Sequence, residues 1–169
     1  MTSALWTTTL GGAVDTFSYG LWFAVRYVHV VSATLMAGAA CIVCALCASS
    51  RAAHESEAVL AVAVLYEWAF WLLIGVTVAT GVSNLGLKGE GLLGAETTWG
   101  RALTIKLAAV LFLLALSGVR SDLVIRLRAA PAAAASERGR VALGALYGLT
   151  IVVILGALWI GLGLAHGKY

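Results

Sequence analysis

The sequence predicts an all-α membrane protein, an up-down bundle of four transmembrane helices, on three observations. Of its 169 residues, 62% are hydrophobic and 11% charged, a balance outside that of ordinary soluble domains. Four apolar stretches, at about residues 21–48, 58–82, 99–120 and 141–166, each exceed the roughly 18 residues that cross a hydrocarbon core. None alternates polar with apolar as a β-barrel strand does, and in lipid a helix satisfies its own backbone groups. A single integral membrane domain over residues 1–169 is the expectation.

The first twenty residues, MTSALWTTTLGGAVDTFSYG, contain no lysine or arginine and no small-residue cleavage pattern, so no removable signal peptide is expected. The first span is longer than a bilayer needs, and Tyr19, Trp22 and Tyr27 suit an aromatic belt at its start. The polar connection SSRAAHESE, residues 49–57, leads to a second span carrying Glu67 between Tyr66 and Trp68. Its glycines and lack of periodicity make Ser83 to Thr98 a predicted surface loop. The third span begins near Trp99 and reaches Arg120, with good helix formers continuing to Arg128. Pro131 lies in AAPAAAASERGR and marks a break. In the fourth span GALYG, Gly156, Gly161 and Gly163 offer small surfaces for close helix contact.

The net charge of +3 is distributed unevenly. Arg51, Arg120, Arg126, Arg128, Arg138 and Arg140 fall at one face, while Arg26, Lys88, Arg101, Lys106 and Lys168 fall at the other, several of them within spans. The positive-inside rule makes the arginine-rich face cytoplasmic and places both termini outside. This asymmetry speaks of orientation, not of a nucleic-acid partner. Cys41, Cys44 and Cys47 share one apolar segment, which excludes a disulfide framework of the secreted kind. No nucleophile, carboxylate pair or phosphate loop marks a hydrolase or a kinase, and an enzymatic role is not the expectation.

Sorted by depth, His29, Lys106 and His166 meet at the outer level, joined by Arg26 and Arg101. Lys106 has two readings: a functional group facing the bundle interior, or a side chain whose stem lies along the helix while its ammonium reaches the interface. At 100° per residue, Met36 and Cys47 lie close to the line of His29 around the first span, with Cys44 about 60° away. That stripe of nitrogen and sulfur donors suits Cu(I); the alternative is plain packing by soft side chains. An unpaired carboxylate in hydrocarbon is costly, so Glu67 needs neutralisation or hydrogen bonds. It serves either as a relay or as a tie between helices through Tyr147, whose depth it matches. His54, beside Glu55 and Glu57, reads as solvated.

The run TTWGRALTIKLAAVLFLLAL resembles the signature of the copper resistance D family of inner-membrane proteins, in which aromatic-Gly-Arg-x-Leu-x-x-Lys-Leu opens a span. RYVHVVSATLMAGA is similar to that family's Arg-x-x-His segment, with Met36 where the family often has tryptophan. The resemblance covers about fifty residues and is to a compact, four-span form. It implies a bacterial inner-membrane protein that handles or transports copper from the periplasmic side, His29, Met36 and His166 capturing the ion and Cys44 and Cys47 passing it on. The short form is also similar to a protoporphyrinogen-oxidising family that uses a membrane histidine and lysine with haem. The alternative is therefore a b-type haem protein in electron transfer or haem-linked redox chemistry. In it His29 and His166 are the ligands, and Arg26, Arg101 and Lys106 neutralise propionates. That reading accounts better for the basic cluster, which would repel a free cation. A third reading is an accessory membrane subunit whose arginines grip lipid phosphates. The partners expected are the lipid bilayer and either a periplasmic copper carrier or a redox subunit.

Overall fold

The computed structural model describes residues 4–49, 53–88 and 96–165, with side chains over 19–49, 55–84 and 96–163. Four long helices dominate: α1 (Ala4–Ser49), α2 (Ala53–Lys88), α3 (Thr98–Ala129) and, after the single turn α4 (Pro131–Ala134), α5 (Glu137–Ala165). Each contains a stretch long and apolar enough to cross a membrane: Tyr19–Ser49, Glu55–Asn84, Thr98–Ala129 and Glu137–Gly163. Among the described residues no strand occurs. The chain is an all-α, multi-pass membrane protein, and large apolar side chains such as Leu65, Trp68, Leu72, Ile125 and Trp159 stay exposed around the bundle, where lipid rather than water is the expected solvent.

Helix boundaries depart from the sequence reading at both ends of α2. It begins at Ala53, inside the predicted polar connection, and runs to Lys88, inside the predicted glycine-rich loop. A helix leaving hydrocarbon continues to satisfy its own backbone, and glycine penalises a helix by only about 1 kcal/mol. At the start of α3 the Thr97 hydroxyl accepts a hydrogen bond from the Gly100 amide at 2.9 Å, closing one of the amides that a helix N-terminus leaves open. At its end Ala130 is extended (φ −132°, ψ 79°), as the residue before a proline is driven to be. Pro131 then opens α4 at a position where its missing N–H costs nothing. Gly139 lets α5 begin tight against α4, since a Cβ there would overlap the Ala133 carbonyl oxygen.

Around the bundle the order is α2, α1, α5, α3, with α2 and α3 completing the ring through the loosest of the four contacts. Small residues on α1, Ala33, Ala37 and Ala40, are all buried and allow α2 and α5 to approach its backbone closely. Met36, Val43, Phe70 and Tyr147 fill the interior. Two ends can be named by their side chains: a histidine end, where α1 enters its span beside the start of α3, and an arginine end bearing Arg126, Arg128, Arg138 and Arg140. Arg120 does not belong to that second set. It was expected at the arginine-rich face, but it is completely buried in the bundle, because α3 runs on unbroken to Ala129.

Candidate functional site

Among the described residues, two polar stations lie within the bundle. The deeper one is built around the carboxylate of Glu67. Arg120 Nε donates to its Oε1 at 2.6 Å and Nη2 to its Oε2 at 3.2 Å, a bidentate ion pair between α2 and α3. Tyr147 of α5 donates to Oε1 at 2.8 Å and Ser121 to Oε2 at 2.6 Å. Four donors thus occupy the acceptor sites of one carboxylate. The remaining guanidinium nitrogen, Nη1, donates to Thr150 Oγ1 at 2.7 Å. The planar cation is boxed by aromatic rings, with Cζ 4.6 Å from the Phe70 centroid, 4.7 Å from Tyr66 and 5.0 Å from Tyr147. Such cation–π contacts strengthen where water is excluded. Three helices are therefore tied at one level, with Tyr66 extending the tie to α1 by donating to the Met36 carbonyl at 3.3 Å.

The second station is at the histidine end. His29 of α1 directs its Nδ1 at the Thr77 carbonyl of α2, 2.8 Å away, with Thr80 Oγ1 at 3.2 Å. A carbonyl can only accept, so Nδ1 carries a proton, and in the neutral ring Nε2 then keeps its lone pair. Nε2 has no hydrogen-bond partner among the described residues. The ring lies against Gly81, where a Cβ would sit 3.2 Å from its Cε1; a larger side chain would have to displace the imidazole. Lys106 turns its ammonium against α5, Nζ being 3.1 Å from where a Cβ of Gly161 would stand. The charges of Lys106 and Arg26 act on one another, and that of Lys106 reaches His29. Arg26 also stacks over Trp22 at 5.2 Å.

The predicted residues are therefore only partly brought together. Arg26, His29 and Lys106 share one end, while Arg101 is exposed on the first turn of α3. His166 lies outside the described residues, as does the side chain of His54. Met36 is buried in the core. Cys44 Sγ points to the Gly144 carbonyl at 3.6 Å, and the Cys47 Cβ is 3.4 Å from where a Gly144 Cβ would be, so both thiols pack on one seam with α5. Among the described residues no three His, Cys, Asp or Glu side chains gather as a metal site. Glu67 does reach Tyr147, as their matching depth predicts. Sequence reasoning missed Arg120, Ser121 and Thr150 around that carboxylate, and Thr77, Thr80 and Gly81 around the imidazole. The usable signal for Arg120 was its place eight residues before Arg128 on a continuous helix, about 12 Å from that end at 1.5 Å per residue.

Compared with known proteins, the chain matches no family model, no curated protein and no solved structure.

Proposed function

We propose that this multi-pass protein resides in a bacterial inner membrane, with the arginine end cytoplasmic and both termini outside. In this reading it holds an anionic metal complex of the haem type at the histidine end. The observation that carries the proposal is at His29: Nδ1–H is tied to a backbone carbonyl, Nε2 has no partner among the described residues, and the charge of Lys106, itself without an acceptor there, reaches the ring. Ligating histidines characteristically donate their second ring nitrogen to such a carbonyl, which fixes tautomer and orientation. Arg26 and Lys106 would meet the carboxylates of the group, and His29 Nε2 would bind its metal. A haem held there would supply one-electron transfer. The protein's own contribution is to orient the imidazole through Thr77 and Thr80 and to present two cations to negative charge.

Copper handling is the second reading, favoured by the two thiols of Cys44 and Cys47 on one seam, to which an ion captured at His29 would be passed. Its difficulty is electrostatic, since a bare cation would approach His29 past Arg26 and Lys106. The test is an absorption spectrum with metal analysis on protein purified in mild detergent. A Soret band that is lost in His29→Ala supports the haem reading. A colourless protein with stoichiometric copper supports the second reading, and a protein with neither removes both.

A further inference from the structure

Between α2 and α3, where the ring of helices is loosest, a cavity of about 500 Å³ opens sideways on the arginine half of the bundle. Val64, Trp68 and Trp71 of α2 face Val124, Ile125 and Arg128 of α3 across it. Val64, Trp68 and Trp71 on α2, and Ser121, Ile125 and Arg128 on α3, each repeat at the i, i+4, i+7 spacing that marks one helix face, so each helix presents a continuous stripe. The groove is mostly apolar, and its floor is the Glu67–Ser121 edge of the buried network. Its end toward the histidine side is closed by Trp71, whose indole N–H reaches Ser121 Oγ at 3.4 Å. The other end is marked by Arg128, two helical turns from Ser121 on the same face and about 10 Å away along the axis.

Arg128 has no ion-pair partner among the described residues, whereas its neighbour Arg126 is held by Asp122 at 2.7 Å. Apolar walls of ligand-pocket size, a lateral opening and a lone guanidinium at the mouth together match an amphiphile with an acyl body and an anionic head. We propose that this groove is a binding site for one anionic phospholipid of the adjoining leaflet, its phosphate on Arg128 and the first part of an acyl chain under Trp68 and Trp71. Occupancy would press on Trp71 and Ser121, and so connect the lipid to the Glu67–Arg120 pair.

Native mass spectrometry of the full chain, released from micelles doped with phosphatidylglycerol or with phosphatidylcholine of the same chains, tests this. One retained phosphatidylglycerol per chain is expected, with little phosphatidylcholine. An arginine near a membrane surface contributes about 1 kcal/mol to anionic-lipid attraction, so Arg128→Gln should weaken retention about fivefold. Ile125→Trp, at an exposed position that tolerates bulk, should block the groove and abolish it. Arg138→Gln, on α5 at the same end, should change little. Equal retention of the two lipids, or an equal loss with Arg138→Gln, overturns the proposal. A dimer that Ile125→Trp dissociates also overturns it, since the occupant would then be a second copy of the chain.

Discussion

Replacing Glu67 by alanine is expected to lower the stability of the bundle by about 3–5 kcal/mol, the loss that follows when one partner of a buried ion pair is removed. The reason lies with Arg120 rather than with the lost contact alone. Its side chain is wholly buried, so the guanidinium is stranded without its counter-charge once the carboxylate is gone. Thr150 and the three rings would remain, but none of them carries a compensating charge. Joint replacement, Glu67→Ala with Arg120→Leu, removes the stranded charge together with its cause. The double variant should therefore be more stable than Glu67→Ala alone, a non-additivity characteristic of groups in one network. Thermal unfolding in a fixed detergent, followed by circular dichroism, reads both effects. A Glu67→Ala protein within about 1 kcal/mol of the parent would mean that the pair behaves as a solvated surface bridge.

Tyr147→Phe carries the next largest effect. The substitution keeps the ring, and with it the edge contact to Tyr66 at 5.0 Å and the face offered to Arg120. Only the hydroxyl that donates to Glu67 at 2.8 Å is lost. Hydrogen bonds to charged groups contribute about 1.5–3 kcal/mol in soluble proteins, while those between membrane helices average about 0.6 and reach about 1.7. Full burial and a charged acceptor favour the upper end of the membrane range, so a loss of about 1.5 kcal/mol is expected. Combining Tyr147→Phe with Glu67→Ala should then add little, because the hydroxyl has already lost its acceptor. If the two losses simply sum, the hydroxyl acts on something other than Glu67.

The four spans were legible because length and apolarity alone decide whether a segment crosses a membrane. Helix ends were not: Ala53 and Lys88 bound α2 well outside its apolar run, and hydropathy is silent on where a helix stops once it has left hydrocarbon. Depth was also legible, which is why Glu67 could be matched with Tyr147 and His29 with Lys106. Rotation was not. The α2 stretch is apolar on all sides, so no periodicity revealed that Thr77, Thr80 and Gly81 turn toward His29, or that Glu67 turns toward Arg120. Arg120 was misplaced for a further reason. An arginine near the end of an apolar run satisfies the positive-inside pattern as well as it satisfies a buried ion pair, and only the partner distinguishes them. The sulfur stripe shows the same ambiguity in reverse: angular agreement along α1 aligned Met36 with His29, yet Met36 is packed in the core.

The functional reading stands on His29 Nε2, which has no partner among the described residues, and on the Lys106 charge that reaches the ring; one titration tests it most directly. Detergent-purified protein is titrated with haem and followed in the Soret region, in parallel with His29→Gly and with His29→Gly supplied with free imidazole. The expected result is saturable one-to-one binding by the parent, loss of the ligated spectrum in His29→Gly, and its return when imidazole fills the vacated position. Binding that is indifferent to His29, or a parent protein that does not bind haem at all, would contradict the reading.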